Sequence, residues 1–502
     1  MNSRFEMVAK TFQGLEGVLA EELQSLGAED IVAGKRMVSF WGDLAMLYKA
    51  NMCCRTALRI LKPFYTFEAS NPDELYAKVK EFDWSTLMSV NQTFAIDTVS
   101  FGEEFRHSQF VTYRVKDGIV DWFRDRLGDD QRPRVRLDGA EIMFNVHIAG
   151  TNVTLSLDSS GESLHKRGWR AAQTEAPINE VLAAGIILLS GWKGDTPFVD
   201  PMCGSGTFLI EAAMIAAGIN PGVYRKHFAF ENWADFDAGL LEEIYNDDTN
   251  EKDVVVPILG ADIAPKAIEI ARANAKSAGV DRYITLDTKA IVKWTEAPKP
   301  AGVLISNPPY GKRISADDMN ALYSSIGRTF KHTFAGYHCW IIGYEEAYFH
   351  EIGLAPSQKI AVNNGGLECE LREYVIFEGK KADFRAKGGS IKDKKQPTRT
   401  AKPTDKPRRK ETSRKNGSEK SRKSEERQRR NIAERPFGAS TPTKNDDRQE
   451  RTDGRRPLRL ELFGRQPSIP ADKEIVVNRP VWRVRKKKQN NSENTTDKSD
   501  NQ

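Results

Sequence analysis

Phe198-Val199-Asp200-Pro201-Met202-Cys203-Gly204-Ser205-Gly206-Thr207 is the stretch that decides the fold. A short apolar run ends on an acid, two glycines come next, and a nearly unbroken apolar stretch then runs to Ala217. This pattern predicts a buried strand passing through a tight turn into a helix, the opening unit of a doubly wound α/β sheet. Gly204 and Gly206 let the backbone approach a ligand that any Cβ would repel. In nicotinamide enzymes such a turn holds a pyrophosphate, and a carboxylate at Asp200 would oppose one. A cationic sulfonium carrying an α-amino group suits an acidic neighbour better. Asp200, Pro201, Gly204 and Gly206 are therefore expected to bind S-adenosylmethionine.

Two later strand ends extend the reading. Leu259-Gly260-Ala261-Asp262 precedes a helix opened by Pro265. Asp262 can accept both ribose hydroxyls, or cap the next helix; the two uses are compatible. Val303-Leu304-Ile305-Ser306 runs into Asn307-Pro308-Pro309-Tyr310. The exocyclic amine of a nucleic-acid base is a weak nucleophile, because its lone pair is delocalised into the ring. The Asn307 side-chain oxygen and the Pro308 carbonyl can each accept one of its N–H bonds. That drives the nitrogen towards tetrahedral and points the lone pair at the methyl group. The prolines fix the backbone, and Tyr310 offers a face for a flipped base. Asn307, Pro308 and Tyr310 are the candidate catalytic residues, with positioning in place of a general base.

Upstream, residues 1–55 alternate short strands with a helix, and Leu15, Val18, Leu19, Leu23 and Leu26 share one face of a helix predicted over 12–26. This unit is too small to stand alone and is expected to pack on the segment after it. Residues 56–160 read as α+β, with a helix from Pro72 capped by Ser70-Asn71 and a hairpin turned at Ala149-Gly150-Thr151. Basic residues crowd the stretch: Arg106, Arg114, Lys116, Arg124, Arg126, Arg132, Arg134 and Arg136. They suit RNA contact, or a solvated helix face paired with Asp117, Asp121 and Asp125. Residues 161–379 alternate helix and strand as a doubly wound sheet. His165-Lys166-Arg167-Gly168-Trp169-Arg170 forms a basic, aromatic joint before it, either touching RNA or linking domains.

The 502-residue chain carries 75 Lys+Arg and 70 Asp+Glu, a net +5 that hides a split. Residues 380–502 hold 37 Lys+Arg against 18 Asp+Glu, leaving 38 and 52 for residues 1–379. An acidic body thus carries a tail of net +19, which points to a polyanionic partner or to a solubilising appendage. The tail lacks apolar periodicity and is expected to be disordered. Five scattered cysteines show no metal-ligand spacing and fit a reducing compartment. No metal is expected. The amino-terminal residues have no apolar signal region, and Val181–Trp192 is too short to span a bilayer, so a cytoplasmic protein without a membrane partner is expected.

The joint, Ala176-Pro177-Ile178-Asn179-Glu180, residues 200–213, Asn220-Pro221-Gly222 through Phe228–Trp233, and residues 306–313 together resemble one family. The chain is similar, over residues 1 to about 379, to the bacterial large-subunit (23S) rRNA guanine-N2 methyltransferases. The resemblance implies a ferredoxin-like element (1–55), a THUMP RNA-binding domain (56–160) and a class I, Rossmann-like methyltransferase sheet of seven strands (161–379). It implies guanine N2 as the target, which chemistry alone does not separate from adenine N6. Asp287 is the nearest carrier of the family's adenine contact, since residues 285–290 lack a clear acid at the usual place. Lys312 stands where such proteins often have Glu, and the 380–502 tail matches nothing in the family. A tRNA guanine-N2 methyltransferase shares this architecture. An adenine-N6 DNA methyltransferase shares Asn-Pro-Pro-Tyr but not the RNA-type amino-terminal region. An RNA-binding ribosome-assembly protein is the alternative of another class.

Overall fold

The computed structural model describes residues 4–309, 315–377 and 379. Tyr310, Lys312 and the 380–502 tail lie outside them. Among the described residues, no helix is long and apolar enough to cross a membrane.

Eight strands from the amino-terminal region build one continuous sheet. They are β1 (Phe5–Lys10), β2 (Glu29–Gly34), β3 (Met37–Gly42) and β4 (Arg59–Glu68), then β5 (Thr93–Phe101), β6 (Arg134–Val135), β7 (Ile142–Ala149) and β8 (Asn152–Asp158). They lie in the order β2-β3-β1-β4-β8-β7-β5-β6. The two amino-terminal segments expected from sequence therefore share a sheet, and β4 joins them. It pairs with β1 through Val8↔Leu61 and with β8 from Leu61↔Asp158 to Glu68↔Asn152. β4 was not anticipated. It carries Pro63, which cannot donate to a ladder, and the register shifts between Pro63 and Tyr65 as at a bulge.

Local signals place the helices. Pro72–Glu81 begins with proline, and the Asn71 side chain accepts from the Asp73 and Glu74 amides at 3.0 Å each. The first helix runs Glu16–Ser25, shorter than the 12–26 expected; Leu15 stays buried just outside it. The helix Ser108–Leu127 buries Val111, Val115, Ile119, Trp122 and Phe123, the face that its periodicity predicts.

The second sheet contains β9 (Phe198–Asp200), β10 (Ile258–Asp262), β11 (Ile284–Thr288), β12 (Val303–Ser306) and β13 (His338–Gly343), with β14 (Gln358–Asn364) and β15 (Leu367–Val375) closing it. The order is β11-β10-β9-β12-β13-β15-β14, parallel except where β15 pairs antiparallel with β13 and β14. β9 and β12 are buried throughout, as strands covered on both faces must be. The chain winds from β9 towards β11 on one side and from β12 on the other. The carboxyl ends of β9 and β12 are thus the switch point of the sheet, where a doubly wound fold opens a crevice for ligand.

Candidate active site

Three strand ends meet at that crevice. Asp200 closes β9 and is 1% exposed. Its Oδ1 accepts from the Ser306 hydroxyl at 2.7 Å and from the Met202 amide at 3.2 Å. Burial pushes the Asp200 carboxyl up to about 7, despite those two donors, and the nearby Asp262 charge pushes the same way. A buried acid poised near neutrality is suited to meet a cation, whose arrival would favour the ionised form.

The turn after β9 is fixed by backbone geometry. Gly204 and Gly206 have φ of +53° and +82°, the left-handed region that glycine alone enters freely. Their surroundings differ. A Cβ on Gly206 would stand 3.1 Å from Ala271 Cβ, so that glycine lets two helices approach. A Cβ on Gly204 would meet only Thr174 Oγ1, at 3.8 Å, and otherwise open space. The two glycines expected to share one role therefore divide it: Gly204 faces the crevice and Gly206 packs the fold. Pro201 is buried between Asp200 and the turn. Burial holds the Cys203 thiol well above its ordinary pKa, which makes it an inert packing group.

Asp262 closes β10 and already serves the scaffold. Its Oδ2 accepts from the Gly204 amide at 2.9 Å, and its Oδ1 from the Ala264 amide at 2.9 Å. It does not cap the helix Pro265–Ser277, whose first turn has no side-chain cap. One lone pair remains on each oxygen, enough for two hydroxyl donors. Ile263, next in sequence, is 75% exposed at the same sheet edge and offers an unclaimed apolar face.

Asn307 comes directly after β12. Its Oδ1 is buried and, among the described residues, has no hydrogen-bond partner. A buried amide oxygen left unsatisfied costs about 1–3 kcal/mol, so a site that retains one is built for a donor brought by a ligand. Pro308 is buried beside it, while Pro309 is exposed. Asp287 stands in register with Ala261 of β10, one position from Asp262, at the same carboxyl edge of the sheet. It lies on the edge strand β11 with its side chain 61% exposed, paired with Lys289 at 3.4 Å, and Lys289 Nζ sits 3.8 Å over the Trp294 ring.

The joint at 165–170 proves to be interior. Trp169 is fully buried, Arg167 is 2% exposed, and burial among cations pushes His165 down to about 4. Arg167 donates to Glu211 Oε1 at 3.3 Å, to the Leu164 carbonyl at 2.9 Å and to the Arg55 carbonyl at 2.6 Å. Arg167 thus links the two sheets with its hydrogen bonds taken by protein acceptors, while Lys166 and Gly168 of the joint stay exposed. Sequence reading also missed Ser306, Arg170, Glu180 and Asn274. No motif flags a serine at a strand end or an asparagine inside a helix.

The basic stretch of the first sheet divides in the same manner. Arg114 pairs with Asp73 at 2.6 Å, Lys116 with Asp117 at 2.5 Å and Arg124 with Asp121 at 3.3 Å, while Arg126 lies 4.2 Å over Trp122. Arg132, Arg134 and Arg136, on and beside the edge strand β6, are exposed and have no ion-pair partner among the described residues. Among those residues, no group of three or more His, Cys, Asp or Glu could hold a metal.

Comparison with known proteins agrees with the architecture. Family models match residues 6–61 as an RlmL ferredoxin-like domain, 69–158 as a THUMP domain and 167–373 as an RMKL-like methyltransferase domain. The Synechocystis protein named "Putative RNA methyltransferase slr0064" is 38% identical over 372 residues, spanning 74% of this chain and 96% of its own. A solved methyltransferase, SMU.472 complexed with SAH, is 32% identical with a TM-score of 0.66, covering 76% of this chain and 100% of its own. A Listeria monocytogenes protein named as a predicted N6-adenine-specific DNA methylase is 30% identical with a TM-score of 0.66, over 74% of this chain and 97% of its own. The chain belongs to the THUMP-domain class I RNA methyltransferases.

Proposed function

We propose that this protein transfers a methyl group from S-adenosylmethionine to the exocyclic N2 of a guanine in large-subunit (23S) rRNA. The cofactor is S-adenosylmethionine: the family uses it, and SMU.472 was solved with the demethylated product in place. Gly204, Asp262 and Asp200 face it from the ends of β9 and β10, with Ile263 as a face for its adenine. Asp287, on the edge strand, has the weaker claim to that contact.

The observation that supports the reaction is the buried Asn307 Oδ1 beside the switch point, unpartnered among the described residues. An exocyclic amine brings two donors, and Asn307 Oδ1 and the Pro308 carbonyl supply two acceptors. Accepting both N–H bonds localises the lone pair on nitrogen, which then attacks the methyl carbon as the C–S bond breaks. The sulfonium leaves as a neutral thioether, and the methylated nitrogen, now cationic, loses one of its two original N–H protons to solvent. Tyr310 would stack on the base. Guanine rather than adenine, and rRNA rather than tRNA, rest on the match of residues 6–61 to an RlmL-type domain and on the THUMP domain, which favours RNA over DNA.

The test is nucleoside mass spectrometry of rRNA and tRNA from cells with and without the gene. Loss of N2-methylguanosine from large-subunit rRNA is the expected result. Loss confined to tRNA would move the substrate, and loss of N6-methyladenosine would move the base. No loss of any methylated nucleoside would leave an RNA-binding assembly role in its place.

A further inference from the structure

Methyl transfer as derived leaves one part of the crevice wall without a task. Arg170, the last residue of the buried joint, is a cation at the amino-terminal end of the helix Thr207–Ala217. A cation there works against the helix dipole. Each of its three nitrogens donates: Nε to Glu180 Oε1 at 2.7 Å, one terminal nitrogen to Ser205 Oγ at 3.1 Å and the other to Thr207 Oγ1 at 2.9 Å. Ser205 lies between the two glycines of the turn, and Thr207 is the first residue of the helix. Glu180 is 5% exposed and opens another helix, Glu180–Leu189, so its charge offsets the arginine.

A second residue grips the same turn from the opposite side. Asn274, fully buried on Pro265–Ser277, spends its whole side chain there. Its oxygen accepts from the Ala171 and Ala172 amides at 2.9 and 3.0 Å, and its nitrogen donates to the Ala172 and Ser205 carbonyls at 2.9 and 3.0 Å. Residues 170–172 and the turn are thus stitched together by hydrogen bonds to both the Ser205 side chain and the Ser205 carbonyl. Asp262 holds Gly204 from a third side.

We infer that Arg170 is a positioning residue for methyl transfer: from the joint between the two sheets, it fixes the glycine-rich turn in the shape that receives the cofactor. The inference rests on the cofactor reading above. A fork of three directed donors explains arginine here, since a lysine could keep the ion pair with Glu180 but not both hydroxyls.

The experiment is calorimetric titration of S-adenosylhomocysteine into the full-length protein, with steady-state constants for S-adenosylmethionine and RNA. Arg170→Lys should weaken S-adenosylhomocysteine binding about tenfold or more, as loss of an outer-shell partner does, and raise KM for the methyl donor in parallel. KM for RNA should stay within twofold, and the thermal midpoint should hardly move. Ser205→Ala with Thr207→Val keeps the Arg170–Glu180 pair and should weaken cofactor binding in the same direction; this variant decides the matter should Arg170→Lys fail to fold. Unchanged affinity in the folded variants would overturn the positioning role. A wild-type protein that binds no S-adenosylhomocysteine would overturn the cofactor reading instead.

Discussion

The basic stretch beside the first sheet and the carboxyl edge of β9 and β12 in the second hold their polar groups in opposite settings. In the first sheet, cations sit at the surface, most of them paired with a neighbouring acid, and three arginines at the β6 edge are left to solvent. In the second, the polar groups are buried at one strand edge: a carboxyl poised near pH 7 and an amide oxygen with no partner among the described residues. Exposed, unpaired cations cost little, because water solvates them, and they serve a polyanion that arrives along the surface. Buried, unsatisfied groups lower stability, so they are retained where a ligand completes them. The first arrangement binds over an area; the second acts at a point. The buried joint makes the two one unit, with Arg167 reaching Arg55 on one side and Glu211 on the other.

The sharpest break in this comparison comes from Asn307. Asn307→Ala should lower the single-turnover rate by about two orders of magnitude or more, as lost positioning does, while leaving S-adenosylhomocysteine affinity within twofold. Parallel loss of binding would show that Asn307 belongs to the cofactor and not to the amine. Next come the glycines. Gly206→Ala places a Cβ 3.1 Å from Ala271 at a φ of +82° and should destabilise the fold by about 1–3 kcal/mol in denaturant unfolding. Gly204→Ala shares the backbone strain but meets open space, so it should cost less stability and more cofactor affinity.

Acidity tests the buried carboxyl directly. Protonated Asp200 no longer attracts a cation, so affinity for S-adenosylmethionine should decline as pH falls through about 7. Asp200→Asn should flatten that dependence. The stability of the free protein runs the other way. The folded pKa lies above the unfolded value of about 3.9, so the contribution of Asp200 is present below that value and lost as pH rises through about 7. Asp200→Asn should also remove the Asp200 share of the stability trend, leaving that of Glu22 and Asp158, whose carboxyls burial likewise pushes up.

The smallest effect belongs to the first sheet. Replacing Arg132, Arg134 and Arg136 by alanine should lower the salt slope of RNA affinity by about two, from roughly 0.7 per phosphate contact on a single strand. Cofactor affinity should not change. Arg126→Ala, whose guanidinium is stacked on Trp122, should leave the slope where it was. A slope unchanged in the triple variant would remove the β6 edge from the RNA surface. The 380–502 tail, with its net +19, would then be the remaining candidate for phosphate contact.

How much of this was legible in the sequence depends on which forces leave a local trace. Thr207–Ala217 is the helix that its apolar stretch predicts, because burial on all sides writes itself into composition. Asn71 announces the helix it caps. β4 stayed hidden because Pro63 masks a strand that two neighbours stabilise from either side, a tertiary effect with no local mark. At the site, the strand-end positions of Asp200, Asp262, Gly204 and Asn307 were legible, since strand-end acids, glycine turns and an Asn-Pro-Pro segment are patterns within a few residues. Ser306, Arg170 and Asn274 were not, because each acts across 35 to 106 residues of chain. The joint showed its basic residues but not their burial; a cation satisfied by distant carbonyls looks, in sequence, like one that waits for phosphate.

The central claim is that this edge of the second sheet methylates an exocyclic guanine amine in RNA. It is tested most directly by incubating the purified protein with unmodified large-subunit rRNA and methyl-labelled S-adenosylmethionine, then digesting the RNA and separating its nucleosides by mass spectrometry. Label in N2-methylguanosine, lost with Asn307→Ala, is the expected result. Label in N6-methyladenosine or on a ring nitrogen, or label that survives Asn307→Ala, would contradict it.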